Sequence, residues 1–345
     1  MTASFLSSEL PLIAAPMAGG ATTVALSSGA ASAGAYPFLA GGYKTVPALA
    51  AEIAALRPLA GPLGVNLFVP DPAGFGATES ERALFAGYAA EIADEAASYG
   101  LELDAEPQQD DDAWADKLAL LLQDPVEVVS LTFGIPAWRD ITALQRAGSA
   151  VLATVTTQAE ARAADEAGVD GLIVQGPRAG GHSATWDPRH TVSDGRTADL
   201  VAAVRAVTRL PLVATGGVDG PEAVNELIAA GAASVAVGTL LLRTDEAGTS
   251  TTHREALASE AFTETTLTRV FTGRPARGLR NGFIERHEHR EITGYPAVHH
   301  LTRELRKRAG AAGDSDRLHL WAGTGYRAAR AEPVAGTLAW LASGL

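Results

Sequence analysis

A TIM (β/α)8 barrel with a smaller, mainly helical substrate or lid domain is the α/β fold class that the sequence predicts. Three observations carry it. Eight short apolar runs recur along the chain, segments of helical composition lie between them, and 345 residues suit one large barrel with insertions. The runs read as strands covered on both faces, because they are almost continuously apolar. They are Pro11–Met17, Pro37–Gly42, Leu63–Phe68, Val126–Phe133, Ala150–Val155, Gly171–Gln175, Pro211–Gly217 and Ser234–Gly238.

Helices are expected over Thr157–Ala167, Ala198–Val207 and Pro221–Ala230, where apolar residues recur near every 3.6 positions. Pro221, after Asp219-Gly220, suits a first helical turn, and Gly168 and Gly231 suit helix C-terminal ends. Two stretches break the alternation. Residues 71–124 are rich in Ala, Glu and Asp, and residues 251–330 are polar and rich in Arg and His. Together they are expected to form the substrate or lid domain over a barrel made of residues 1–70 and 125–250. Residues 331–345 then form a C-terminal helix packing back on the barrel. The run Gln109-Asp-Asp-Asp112 reads as a solvated loop.

Charge and composition exclude several classes of function. The net charge is −13 and no long Lys/Arg run occurs, which argues against nucleic acid and anionic membrane surfaces as partners. With no cysteine, the chain has no disulfide, thiolate metal site or cysteine nucleophile. The segment MTASFLSSELPLIAAPM lacks a signal-peptide pattern, and no apolar run reaches the roughly 18 residues of a membrane span. A cytoplasmic protein is expected. His287, His289, His299 and His300 lack metal-ligand spacing; they read as surface or lid residues, and no metal is expected.

In a barrel, chemistry collects where strands end and loops begin. Thr215-Gly216-Gly217 and Val237-Gly238-Thr239 end the last two strands, where glycine lets backbone N–H groups converge on a phosphate. Asn66 and Gln175 stand on strands three and six. Their amides suit the flat, hydrogen-bonding rim of a ring such as a flavin, or else form a satisfied polar pair in the core. His182 follows strand six in GPRAGGHSAT, and Gly180 and Gly181 allow close approach to a ring. A neutral imidazole there could take a proton from carbon or stabilise an anion.

The series APMAGG, GVNLF, VVSLTFGIP, QGPRAGGHS, VATGGV and VAVGT, followed by TGRPARGLRN, GYPAVHHLTRELR and LWAGTG, resembles the nitronate monooxygenases, formerly 2-nitropropane dioxygenases. The resemblance runs from Pro11 to about Gly325. It implies FMN as cofactor, with Pro16, Met17 and Ala18 lining the flavin and Asn66 and Gln175 hydrogen-bonding it. Gly180, Gly181, Gly216, Gly217, Val237, Gly238 and Thr239 would serve ring and phosphate, and His182 falls on the family's active-site histidine. The implied reaction oxidises alkyl nitronates, or nitroalkanes, with O2 to an aldehyde or ketone plus nitrite, consuming no reduced nicotinamide. A monomer or homodimer acting on these small molecules is expected. Its rivals are an FMN-dependent enoyl-acyl-carrier-protein reductase using NAD(P)H, a flavin-binding protein without turnover, and a barrel that binds a phosphorylated sugar or nucleotide without flavin.

Overall fold

A computed structural model describes residues 6–345; residues 1–5, with which the expected barrel segment begins, lie outside the described residues. Eight parallel strands form the barrel. They are β1 (Leu12–Ala14), β2 (Phe38–Ala40), β3 (Gly64–Phe68), β4 (Val128–Thr132), β5 (Ala150–Val155), β6 (Gly171–Gln175) and, after a two-residue strand β7 (Gly181–His182) of another sheet, β8 (Leu212–Thr215) and β9 (Ser234–Val237). Hydrogen bonding runs in the order β1-β9-β8-β6-β5-β4-β3-β2. Tyr36 closes the ring: its N–H donates to Leu12 O at 2.8 Å, and Ala14 N donates to Tyr36 O at 3.0 Å.

All eight strands fall inside the runs read from sequence. Three starts are trimmed for one reason, since Pro11, Pro37 and Pro211 have no N–H for the ladder. Their carbonyls still accept from Val235, Gly64 and Leu172. Outward residues such as Val65, Val129, Val151, Leu172 and Val235 form one core with the surrounding helices. Inward, Leu6, Ile13, Tyr36, Phe38, Val128, Leu152, Ile173 and Val213 plug the lower barrel.

Helices at Gln158–Glu166, Thr197–Arg205 and Pro221–Ala229 occupy the expected places. Thr157 caps the first of them, its Oγ1 accepting from Glu160 N at 3.1 Å. The C-terminal helix Val334–Ala342 buries Val334, Leu338 and Leu341 in the barrel core. Among the described residues no helix is long and apolar enough to cross a membrane.

The two irregular stretches share a second core, in which Phe75, Phe85, Tyr88 and Ile92 pack against Phe271, Phe283, Val298, Leu301 and Leu305. Its helices include Glu79–Glu91, Gly282–His287 and Ala297–Ala311. A three-stranded antiparallel sheet, in which β10 (Thr265–Thr268) and β11 (Ala276–Leu279) join β7, was not expected in a mainly helical lid. Its strands are short and polar, so no alternation marks them. The helix Trp114–Gln123 lies inside the 71–124 stretch yet buries Leu121 in the barrel core.

Candidate active site

The strand alternation that plugs the lower barrel sets a polar layer above it. On the same inward face, one pleat further along, stand Asn66, Ser130, Thr154, Gln175 and Thr215, with Thr132 one pleat beyond Ser130. Above them a cavity of about 1610 Å³ opens between the strand ends and the second core, with Ile13, Phe38, Ile173 and Val213 at its floor. Small-ligand sites usually occupy about 300–1,000 Å³, so the space exceeds the needs of one small substrate. All the residues singled out from sequence line it: Pro16, Met17, Ala18, Asn66, Gln175, Gly180, Gly181, His182, Gly216, Gly217, Val237, Gly238 and Thr239.

His182 does not sit on a free loop. As part of β7 it pairs with β11, His182 opposite Ala276 and Gly181 opposite Arg277. Gly181 reaches this register at φ 74°, where a side chain would be strained. Phe133, Tyr295 and Trp321 surround the imidazole, with ring centroids 5.7, 5.8 and 5.7 Å away. That burial, with the Arg274 and Arg306 guanidiniums nearby, pushes His182 down to about 3 and keeps it neutral at ordinary pH. Its Nε2 lies 2.9 Å from Thr272 Oγ1, which in turn donates to Arg274 O at 3.3 Å. A threonine hydrogen so directed leaves Oγ1 to accept from Nε2, the tautomer in which Nδ1 is the basic atom; in the other tautomer Thr272 donates to Nε2.

The two amides foreseen as ring partners are held differently. Asn66 Nδ2 donates to Ser130 Oγ and Thr132 Oγ1, both at 2.9 Å, which leaves Oδ1 without a protein donor among the described residues. Gln175 instead braces the histidine: its Nε2 donates to His182 O at 3.1 Å, and its Oε1 accepts from Ala184 N at 2.7 Å. One Nε2 hydrogen remains. Gly180 owes its missing side chain to protein packing, since a Cβ there would lie 2.4 Å from Gly323 N. Among the described residues the amides of Gly217, Gly238 and Thr239 donate to no protein acceptor. Gly217 and Gly238-Thr239 precede the helix at Pro221 and the turn Thr239–Leu241, so partial positive charge gathers where a phosphate would lie.

Several residues at the site escaped the sequence reading. Tyr43 and Phe133, at the ends of β2 and β4, adopt left-handed backbones at φ 64° and 79°. Such conformations cost about 1–3 kcal/mol unless their surroundings impose them. Here Tyr43 N donates to Asp112 Oδ1 at 2.8 Å, and the Arg274 guanidinium lies 4.0 Å over the Phe133 ring. Asp112 is therefore no solvated-loop residue: Lys117, itself buried, pairs with it at 2.7 Å. Asp110 meets His300 at 2.9 Å.

Nor is His299 at the surface. It stacks on Tyr43 at 4.2 Å with planes 5° apart and lines the cavity, held neutral by burial. His287 is buried between Glu91 and Glu95, whereas His289 stays exposed. One signal was available for part of this set. Tyr295, His299, Thr302 and Arg306 recur at steps of four, three and four, the spacing of one helix face.

Chemically, the site offers a neutral imidazole in an aromatic box, an open acceptor on Asn66 and unused amides at two strand ends. That set fits a planar, phosphate-bearing cofactor with a small substrate between it and His182. The family model described as nitronate monooxygenase matches residues 3–342. A probable nitronate monooxygenase of Staphylococcus aureus (strain Newman) is 31% identical over 333 residues, covering 95% of this chain and 92% of the relative. Nitroalkane oxidase from Streptomyces ansochromogenes superposes with a TM-score of 0.90 at 42% identity, over 98% of this chain and 96% of that one. FabK from Thermotoga maritima shares the fold, with a TM-score of 0.73 at 22% identity over 98% and 93% of the two chains.

Proposed function

The chain belongs to the nitronate monooxygenase family, and from that premise we propose that it is an FMN-dependent enzyme oxidising alkyl nitronates, and nitroalkanes after proton removal, with O2 to an aldehyde or ketone plus nitrite. The observation that carries the proposal is the neutral His182 imidazole, boxed by Phe133, Tyr295 and Trp321 over a cradle of uncommitted amides.

Pro16, Met17 and Ala18 would flank the flavin ring, with Asn66 Oδ1 accepting from a ring N–H and the spare Gln175 hydrogen donating at the rim. Gly180, Gly181 and Gly216 would line the wall beside the ring, while Gly217, Val237, Gly238 and Thr239 would cup the phosphate. FMN, when bound, supplies the acceptor through which electrons leave the substrate for O2. His182 takes the α-proton of a neutral nitroalkane on the ring nitrogen that Thr272 leaves free. For a substrate already present as the nitronate, it orients the anion.

The second core, with its three-stranded sheet, acts as the lid over the strand ends. We draw its sequence from residues 71–124 and 251–330, less the barrel-packed helix Trp114–Gln123. The enzyme acts as a monomer or homodimer.

One purification tests the proposal. The protein should carry flavin absorption, release FMN on denaturation, and yield nitrite from a nitronate in air. Anaerobically, a nitronate should bleach the flavin while NADH and NADPH leave it oxidised. A colourless protein, or bleaching by NAD(P)H alone, would overturn it.

A further inference from the structure

Two guanidinium groups stand near His182, and neither forms an ion pair among the described residues. Arg274 is 3% exposed and Arg306 5% exposed. A buried cation without a counterion is costly, so each group needs a physical account. Arg274 faces the protein: its Nη2 donates to Thr185 O at 2.7 Å and its plane covers Phe133, although its buried Nε has no partner among the described residues. It does not line the cavity.

Arg306 differs. It projects from the helix Ala297–Ala311 into the cavity lining. Its Nε donates to Thr302 Oγ1 at 3.0 Å, and its Nη2 donates to His299 O at 2.9 Å. Those bonds fix the guanidinium plane. Nη1, with two hydrogens, has no protein acceptor among the described residues. Burial lowers the group to about 10, which still leaves it protonated at neutral pH.

We propose that Arg306 is the charge partner of the substrate's nitro group, its Nη1 hydrogens meeting the oxygens on which negative charge sits in a nitronate and onto which charge moves when a nitroalkane loses its α-proton. The proposal rests on the function given above and adds the residue that separates the two substrate forms. The neutral His182 cannot supply this charge. Once it has taken a proton it is a cation beside its own product, and the guanidinium holds the anion from the opposite end of the C–N unit.

The charge acts at different stages for the two forms. A nitronate carries it in the ground state, so Arg306 contributes to binding and appears in KM. A neutral nitroalkane acquires it only as the C–H bond breaks, so Arg306 appears in kcat. Hydrogen bonds to charged groups correspond to about 10- to 100-fold in affinity or rate.

The test uses the flavin-loaded enzyme, Arg306→Gln and Arg306→Lys. Arg306→Gln should raise KM for a primary nitronate about 10- to 100-fold, and lower kcat for the matching nitroalkane by a similar factor with KM nearly unchanged. Arg306→Lys should recover most of both. A direct readout is calorimetric titration with nitrate, a planar anion shaped like the nitro group, whose affinity should fall in Arg306→Gln and persist in Arg306→Lys. Equal effects on both substrate forms, or unchanged nitrate binding, would overturn the assignment. Should Arg306→Gln fail to hold flavin, Arg306→Lys decides alone: retained nitrate binding supports the proposal and its loss refutes it. Wild-type enzyme that binds nitrate but oxidises neither substrate would sink the proposed function and leave the anion site standing.

Discussion

The same strands line the barrel interior twice, and the two linings have opposite characters. Low in the barrel, Ile13, Phe38, Val128, Leu152, Ile173 and Val213 interlock through apolar contacts, with the buried Tyr36 hydroxyl as a polar exception beside them. One pleat higher, about 7 Å along each strand, the same face carries Asn66, Ser130, Thr154, Gln175 and Thr215, with Thr132 a further pleat above Ser130. The lower layer removes apolar surface from water, worth about 1.5–3 kcal/mol for each large side chain. The upper layer gains little from burial, because its groups exchange water for one another. What it gains is direction, with Thr132 and Ser130 turning Asn66 so that one acceptor stays free. Stability and chemistry are thus separated by two residues on a strand.

That division can be broken from either side. The largest effect is expected above, at the end of β7: His182→Asn should lower turnover of neutral nitroalkanes about 100- to 10,000-fold while flavin content is retained, and steady-state nitrite assays would read it. Full turnover would move the base elsewhere. The same variant should flatten part of the acid limb of stability. His182 sits at about 3 in the folded chain against 6.5 when free, so the unfolded state binds the proton first. Stability is therefore full above about 6.5 and is lost as pH falls from there toward 3, which urea titrations across that window would follow.

Below, Phe38→Ala should cost about 3–5 kcal/mol in denaturant unfolding, with kcat per flavin-loaded molecule unchanged. A smaller loss, about 1–3 kcal/mol, is expected for Gly64→Ala, where a Cβ would lie 2.4 Å from the Phe38 ring. If either lower-layer change altered kcat, the two layers would not be independent. Smallest of all, Ser130→Ala removes one acceptor that fixes Asn66 and should weaken FMN binding by about 1 kcal/mol, measured by fluorescence on titrating flavin into the stripped protein.

The legibility of the chain follows the same line. The strands could be placed to within a few residues because an apolar run with proline before it and glycine after it is a local signal. Positions two residues above the plug were equally readable, and Ser130 and Thr154 could have been named with Asn66 and Gln175. The second sheet could not, since β7 is Gly181 and His182 and becomes a strand only by meeting Ala276 and Arg277. Asp112 shows the same limit. Within a run of acids it looks solvated, and only the fold brings Lys117 and the Tyr43 amide to it. His299 and Arg306 carried a helical spacing, but nothing local said that Tyr43 would stack on the imidazole or that no carboxylate would reach the guanidinium.

One consequence of β7 concerns how such an enzyme can diversify. The base we assign is stitched along β11 of the cover, whereas the amides that would seat the cofactor stand at the ends of the barrel strands. Mutations in the cover can therefore reshape the substrate space around the histidine, but its backbone is tied to the seat through Gln175, which donates to His182 O and accepts from Ala184 N. Substrate preference can drift with the cover, while the aim of the base and the hold on the cofactor are inherited together.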